Sequence, residues 1–358
     1  MHTLFKIIYV NTRLLIAFIF TITAFTLSLT TAQATISCAG TLPNRYFERI
    51  ENTTPFAGKL AEQTDGTQQL HDLSGDVVMD NLSEAYIVMD NYVLAKQYGK
   101  YGVINAAGKI IVPFEYDDIQ TEPDIATSFI VSIKSSDATP RQGIINRHGD
   151  WIFPLTTARI EHAHYDSDHD QDYFKMTSDQ GRTGLLDDKG YWAIMPQYEA
   201  IHPLNACTGQ LLYLQVSLND KTALIDQNND VIIPFAAHQH IEAFNNNVSP
   251  LLFLRSTLIN GSTATGMSED IQDEIVSAEI IDANGKLILA SDAPIRKLLY
   301  HQLYTYKQAG KFGIMNDKGS VILTPQFASY RDDGDKVWVE KDGKMRRLNT
   351  FITLNQPF

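Results

Sequence analysis

The densest set of chemically capable residues in this chain is Glu161-His162-Ala163-His164-Tyr165-Asp166-Ser167-Asp168-His169-Asp170-Gln171-Asp172. Asp166, Asp168, Asp170 and Asp172 fall at alternate positions. On an extended backbone alternate side chains face the same way, and carboxylate oxygens are the ligands Ca2+ prefers. His162 and His164, with His169, offer imidazole nitrogens suited to Zn2+ or Cu2+ instead. The match to a calcium loop is partial, because Gln171 stands at its glycine position and Thr177 at its bidentate glutamate position. A solvated acidic loop explains the same residues with no ligand at all. His238 and His240 make a second, weaker pair at the equivalent place one repeat later. No G-x-S-x-G, H-E-x-x-H, phosphate loop or dinucleotide fingerprint occurs, so catalysis and a resident cofactor are not expected.

What must position these groups is a repeated phrase. It is clearest at Lys100-Tyr101-Gly102-Val103-Ile104-Asn105-Ala106-Ala107-Gly108 and at Lys311-Phe312-Gly313-Ile314-Met315-Asn316-Asp317-Lys318-Gly319. Degraded copies place the second glycine at Gly75, Gly149, Gly190 and Gly285, with Asn229 in its place once. Each phrase reads as two β-rich runs joined by a turn. Asn or Asp opens the turn, where its side chain can bond amides two residues on. Glycine closes it, where positive φ is wanted. Pro113, Pro154, Pro196, Pro234 and Pro325 follow and are expected at strand ends, since proline cannot donate to a ladder. A third strand precedes each phrase, as at Phe129-Ile130-Val131 or Leu303-Tyr304-Thr305-Tyr306, and a linker follows it. Runs such as Ile110-Ile111-Val112 suggest burial on both faces.

The phrase resembles the WG repeat, in which Lys-Trp-Gly opens a strand, an Asp/Asn-x-x-Gly turn follows, and a second strand ends in proline and an aromatic. The motif's tryptophan is Tyr101 and Phe312 in the best copies, and the first glycine is Ala223 and Glu279 in two others. The resemblance implies an interaction role without catalysis. The expected fold is all-β, a repeat architecture of short antiparallel three-stranded units over residues 56–358. It holds seven units and a partial eighth, interrupted by an insertion at about 259–277. An open twisted stack is the first expectation and a closed propeller the alternative. Phe114, Tyr116, Tyr198 and Phe327 are expected to pack one unit on the next.

The first 34 residues read as a signal peptide. Lys6 and Arg13 precede an apolar run from Leu14 to Leu29, and Ala32-Gln33-Ala34 is a cleavage pattern. Residues 35–55 form a lead-in. The chain is therefore expected in the periplasm or secreted, monomeric, with no membrane span after cleavage. Its net charge of −13 would become two units more negative on cleavage. Such a surface repels nucleic acid and suits basic ligands, while the partner, a protein or another envelope component, stays unidentified. Cys38 and Cys207 are the two cysteines, and an oxidising compartment leaves a disulfide or two free thiols open.

Overall fold

A computed structural model describes residues 58–88, 92–121, 127–134, 140–166, 169–204, 213–245, 251–259, 275–299 and 302–352. Cys38, Cys207, Asp168, the signal-like segment and most of the insertion lie outside them. The described residues are all-β, with one short 3-10 turn at Leu348–Thr350. They form eight small antiparallel sheets. The first and last have three strands and the other six have four, each built from strands consecutive in the chain. The second sheet shows the plan: Glu84–Val88, Tyr92–Gln97, Lys100–Asn105 and Ile110–Tyr116, in that spatial order.

The unit therefore carries one strand more than the expected three. The extra strand is the supposed linker, as with Arg159–Asp166, which opens the fourth sheet beside Gln171–Thr177. No strand of the first sheet pairs with one of the last, and among the described residues no closed propeller forms.

The turn chemistry holds in seven copies. Asn105 Oδ1 accepts from the amides of Ala107 at 3.0 Å and Lys109 at 2.9 Å. Asp72, Asn146, Asp187, Asp226, Asp282 and Asn316 repeat both bonds. The closing residue has positive φ throughout, 75° at Gly108 and 69° at Asn229. The prolines differ from expectation. Pro113 lies inside Ile110–Tyr116, where Val103 pairs Val112 but Tyr101 pairs Tyr116, so the strand bulges across it. This strand is the open edge of its sheet, one of the places a sheet tolerates proline.

Cores lie between successive sheets. Val103, Val112 and Tyr116 of the second sheet pack on Ile119, Phe129 and Val131 of the third. Ile130 and Ile144 meet Ile160, Phe174 and Leu186 of the fourth. Leu298, Ile314 and Phe327 meet Val337, Val339 and Leu348 at the C-terminal end. Burying one such side chain contributes about 1.5–3 kcal/mol, against roughly 0–1 for a surface ion pair, so inter-sheet packing dominates. Tyr116, Tyr198 and Phe327 are buried as expected, and Phe114 packs half-buried on the cluster between the first two sheets.

Candidate functional site

The strand Arg159–Asp166 opens the fourth sheet, and its first four residues border a cleft. With Gln120, Gln142 and Lys175 they line about 280 Å3. The cleft wall is polar: Arg159, Glu161 and His162 face it, and Gln142 accepts a hydrogen bond from the Ile160 amide at 2.8 Å. Lys175 Nζ lies 3.5 Å from Glu161, and Arg159 also pairs with Glu161. His202, on the strand Ala200–Pro203, is held below the usual imidazole range. Partial desolvation of a side chain that the strand leaves exposed is the first cause and the Lys175 charge the next, with Glu161 opposing them.

Behind the cleft sits a buried polar cluster. His162 Nε2 is 2.9 Å from Asp172 Oδ1, with the two side chains 8% and 0% exposed. Asp172 Oδ2 accepts from both the amide and the hydroxyl of Thr127, each at 2.7 Å. Asp188 lies alongside, its Oδ2 3.4 Å from the Asp172 amide and its Oδ1 buried without a hydrogen bond. Burial raises the Asp188 carboxyl above its ordinary range, and the Asp172 charge adds to this against hydrogen bonds from Thr127 and Asp172. Tyr173 is pushed up to about 12 by burial, with the charges of Asp166, Asp187 and Asp188 adding to it.

This geometry has an imidazole and a carboxylate but the wrong order for acyl transfer. The hydroxyl of Thr127 donates to the carboxylate, so Asp172 stands between hydroxyl and imidazole. A nucleophile has to sit on the base itself. The cluster instead ties Thr127, at the start of the third sheet's second strand, to the fourth sheet.

The sequence-predicted ligands are distributed over different partners. Asp172 points inward as described. Asp166 is buried and pairs with His169, Oδ2 to Nδ1 at 2.8 Å. Asp170 accepts from the Tyr165 hydroxyl at 2.7 Å and lies 3.7 Å from Arg147. Asp166 and Asp172 belong to a strand-and-turn hairpin, not to a free linker, and Asp170 has left-handed φ of 51°. Among the described residues no three His, Cys, Asp or Glu side chains group as a cation site, and Asp168 is not among them. His164 is in the strand opposite Tyr173, beside a register shift that separates it from His162. His238 and His240 do not share a strand: His238 occupies a turn with φ of 56°, and His240 lies in Gln239–Ala243. Thr127, Asp188 and Lys175 were not legible as partners: Lys175 comes opposite Glu161 by strand pairing and Asp188 sits in a turn of the same sheet, while the packing of the third sheet on the fourth brings Thr127.

These features define a class: an all-β repeat protein built from small antiparallel meanders stacked in chain order. The family model for the WG containing repeat matches residues 101–122 and 312–344, and the chain carries WG repeats there. Those are the copies that keep an aromatic residue before glycine, Tyr101-Gly102 and Phe312-Gly313. No curated protein matches the chain. Among solved structures it is similar to a eukaryotic initiation factor, at 10% identity over 82% of this chain and 88% of that one, with a TM-score of 0.26. A putative TolB from Agrobacterium tumefaciens matches at 12% identity over 61% and 84%, TM-score 0.27. The WD40 domain of SCAP from fission yeast matches at 9% over 80% and 91%, TM-score 0.24. Scores this low carry no argument about fold or function.

Proposed function

We propose that this chain is an exported, non-enzymatic WG-repeat scaffold that binds a protein or another component of the cell envelope. The observation that supports the reading is the repeated unit itself. Eight small sheets, each packed on the next, give a long surface made of equivalent positions, the usual basis of binding in repeat proteins. Among the described residues the buried His162–Asp172 pair supports it too, because the Thr127 hydroxyl bonds the carboxylate and not the imidazole. Export rests on Lys6, Arg13, the apolar run to Leu29 and Ala32-Gln33-Ala34. Among the described residues no helix is long and apolar enough to cross a membrane.

The test is cross-linking in an intact cell envelope, followed by recovery of the chain and N-terminal sequencing. The expected result is a chain starting at Thr35, joined reproducibly to a specific envelope component. A retained Met1, or recovery of the chain alone, would count against export or against binding respectively. The competing reading is a Ca2+ protein using Asp166, Asp168, Asp170 and Asp172. It has less support because Asp166, Asp170 and Asp172 each have other partners. A ligand at a hundredfold over its dissociation constant adds about 2.7 kcal/mol to stability. A melting curve that rises in millimolar Ca2+, and does not when Asp166, Asp168 and Asp170 are changed to Asn, would restore it.

A further inference from the structure

We infer that the last strands of the first seven sheets together form a docking stripe for an extended, cationic polypeptide with an apolar residue at every third position. This rests on the scaffold reading and names its surface and its partner class. The residue two places after each turn's closing position is apolar in each of the first seven sheets. Val77, Ile110, Trp151, Val231, Leu287 and Val321 are all between 47% and 52% exposed, and Trp192, the seventh, is half-buried. A single exposed apolar side chain is ordinary, whereas the same position exposed to the same degree along a stack is a surface.

At three junctions the turn that leads into one edge strand touches the edge strand of the sheet before it. A Cβ built on Gly149 would stand 2.7 Å from the Ile111 carbonyl of the preceding sheet, and one on Gly190 would stand 3.0 Å from that of Ile152. The same contact recurs between Gly285 and Ile232. These glycines cover carbonyls at the open edge. Pro113, Pro154 and Pro234, exposed in the same strands, remove amide donors. Main-chain pairing by an added strand is therefore blocked, and recognition has to use side chains. Packed sheets lie about 10 Å apart, and a polyproline-type chain returns to the same face every three residues, about 9 Å. That match sets the apolar spacing of the partner. Its charge follows from Asp76, Asp150 and Asp230, which precede Val77, Trp151 and Val231, and from the net −13 of the chain; Lys109 and Lys286 precede Ile110 and Leu287.

The test uses synthetic peptides of repeated Leu-Lys-Pro, with Ser-Lys-Pro and Leu-Glu-Pro repeats as controls, and the full exported chain carrying Trp338→Phe. Of the three tryptophans this leaves Trp151 and Trp192, so fluorescence reports the stripe. Leu-Lys-Pro should bind saturably with a blue shift, and the controls at least about tenfold more weakly. The triple change Ile110→Ser, Val231→Ser, Leu287→Ser should weaken binding by about the same factor. Asp150→Lys with Asp230→Lys, which alters exposed turn residues alone, should weaken it independently of packing. Equal binding of Ser-Lys-Pro, or binding unchanged in both variants, overturns the proposal. So does concentration-dependent self-association in sedimentation that the triple change abolishes, because a second copy would then be the occupant. If envelope cross-links persist in both variants, the scaffold reading stands and the stripe falls; if the unmodified chain forms none, the scaffold reading itself falls.

Discussion

Gly149 and Gly181 separate two demands on a glycine that look alike in sequence. Both have left-handed φ, 95° and 71°, a conformation that costs an L-residue free energy. A Cβ on Gly181 would meet nothing within 4 Å, while one on Gly149 would strike the Ile111 carbonyl. Alanine should cost about 1–3 kcal/mol of backbone strain at either site, with a further loss at Gly149 alone. Urea midpoints for the two variants decide it, and equal shifts would remove the inter-sheet contact from the explanation. The need for positive φ was readable from the Asn/Asp-x-x-Gly spacing. The carbonyl was not, because it belongs to a strand about forty residues away whose position depends on stacking. Asp188 carries a second residue-scale prediction. Its carboxyl is raised in the fold, chiefly by burial, so the folded chain holds this proton more tightly than the unfolded chain. The stability this gives is present at acid pH and is lost as pH climbs from the ordinary carboxylate range through the raised value. Asp188→Asn should therefore raise the melting temperature at neutral pH and flatten its slope just above the ordinary carboxylate range. Asp117 has the opposite sign. Its hydrogen bond from Lys100, at 2.7 Å, leads the causes that hold it low. Its stabilisation is lost as pH falls through that lowered value, and Asp117→Asn should weaken the chain at neutral pH. Melting temperature followed against pH in both variants checks the two signs.

At the scale of elements, the strands around each turn were legible and the strand that opens each sheet was not. Ile104-Asn105-Ala106-Ala107-Gly108-Lys109-Ile110 announces its turn through residue types with fixed conformational preferences. Arg159–Asp166 carries Glu161, His162, His164 and Asp166, a composition that reads as a solvated linker. It is a strand because His162 and Asp172 satisfy one another behind the cleft, and Ile160 fills the core on the third sheet. The prolines were misplaced for a related reason: an edge strand with a bulge tolerates a missing donor that a central strand does not. The hairpin reading makes a ranked prediction. Asp172→Ala leaves His162 and Thr127 without their buried partner and should cost about 3–5 kcal/mol. Asp170→Asn keeps an acceptor for the Tyr165 hydroxyl and a residue type that tolerates left-handed φ, loses the exposed charge pairing with Arg147, and should cost roughly 0–1 kcal/mol. A free acidic linker would make the two substitutions equivalent in chemical denaturation.

For the whole molecule, the question is whether stability is shared around a ring or passed from sheet to sheet. Each sheet consists of consecutive strands, and the eighth sheet, Tyr330–Asp332, Val337–Lys341 and Lys344–Arg347, buries Val337, Val339 and Leu348 against Leu298, Leu303, Ile314 and Phe327 of the seventh. Deleting residues 336–358 would uncover that cluster and leave the seventh sheet with one bare face. In a stack whose units contact their neighbours, the damage stays local. The truncated chain should melt earlier, and it should associate more readily through the exposed apolar face. Protection against hydrogen exchange should fall in Leu303–Gln308 and Lys311–Asn316, while Gln68–Asp72 of the first sheet keeps its own. A ring joining first and last sheets requires the opposite, because removing its final strands breaks the closure and frees both ends at once. Equal loss of protection in Gln68–Asp72 and Leu303–Gln308 would therefore replace the open stack with a closed one.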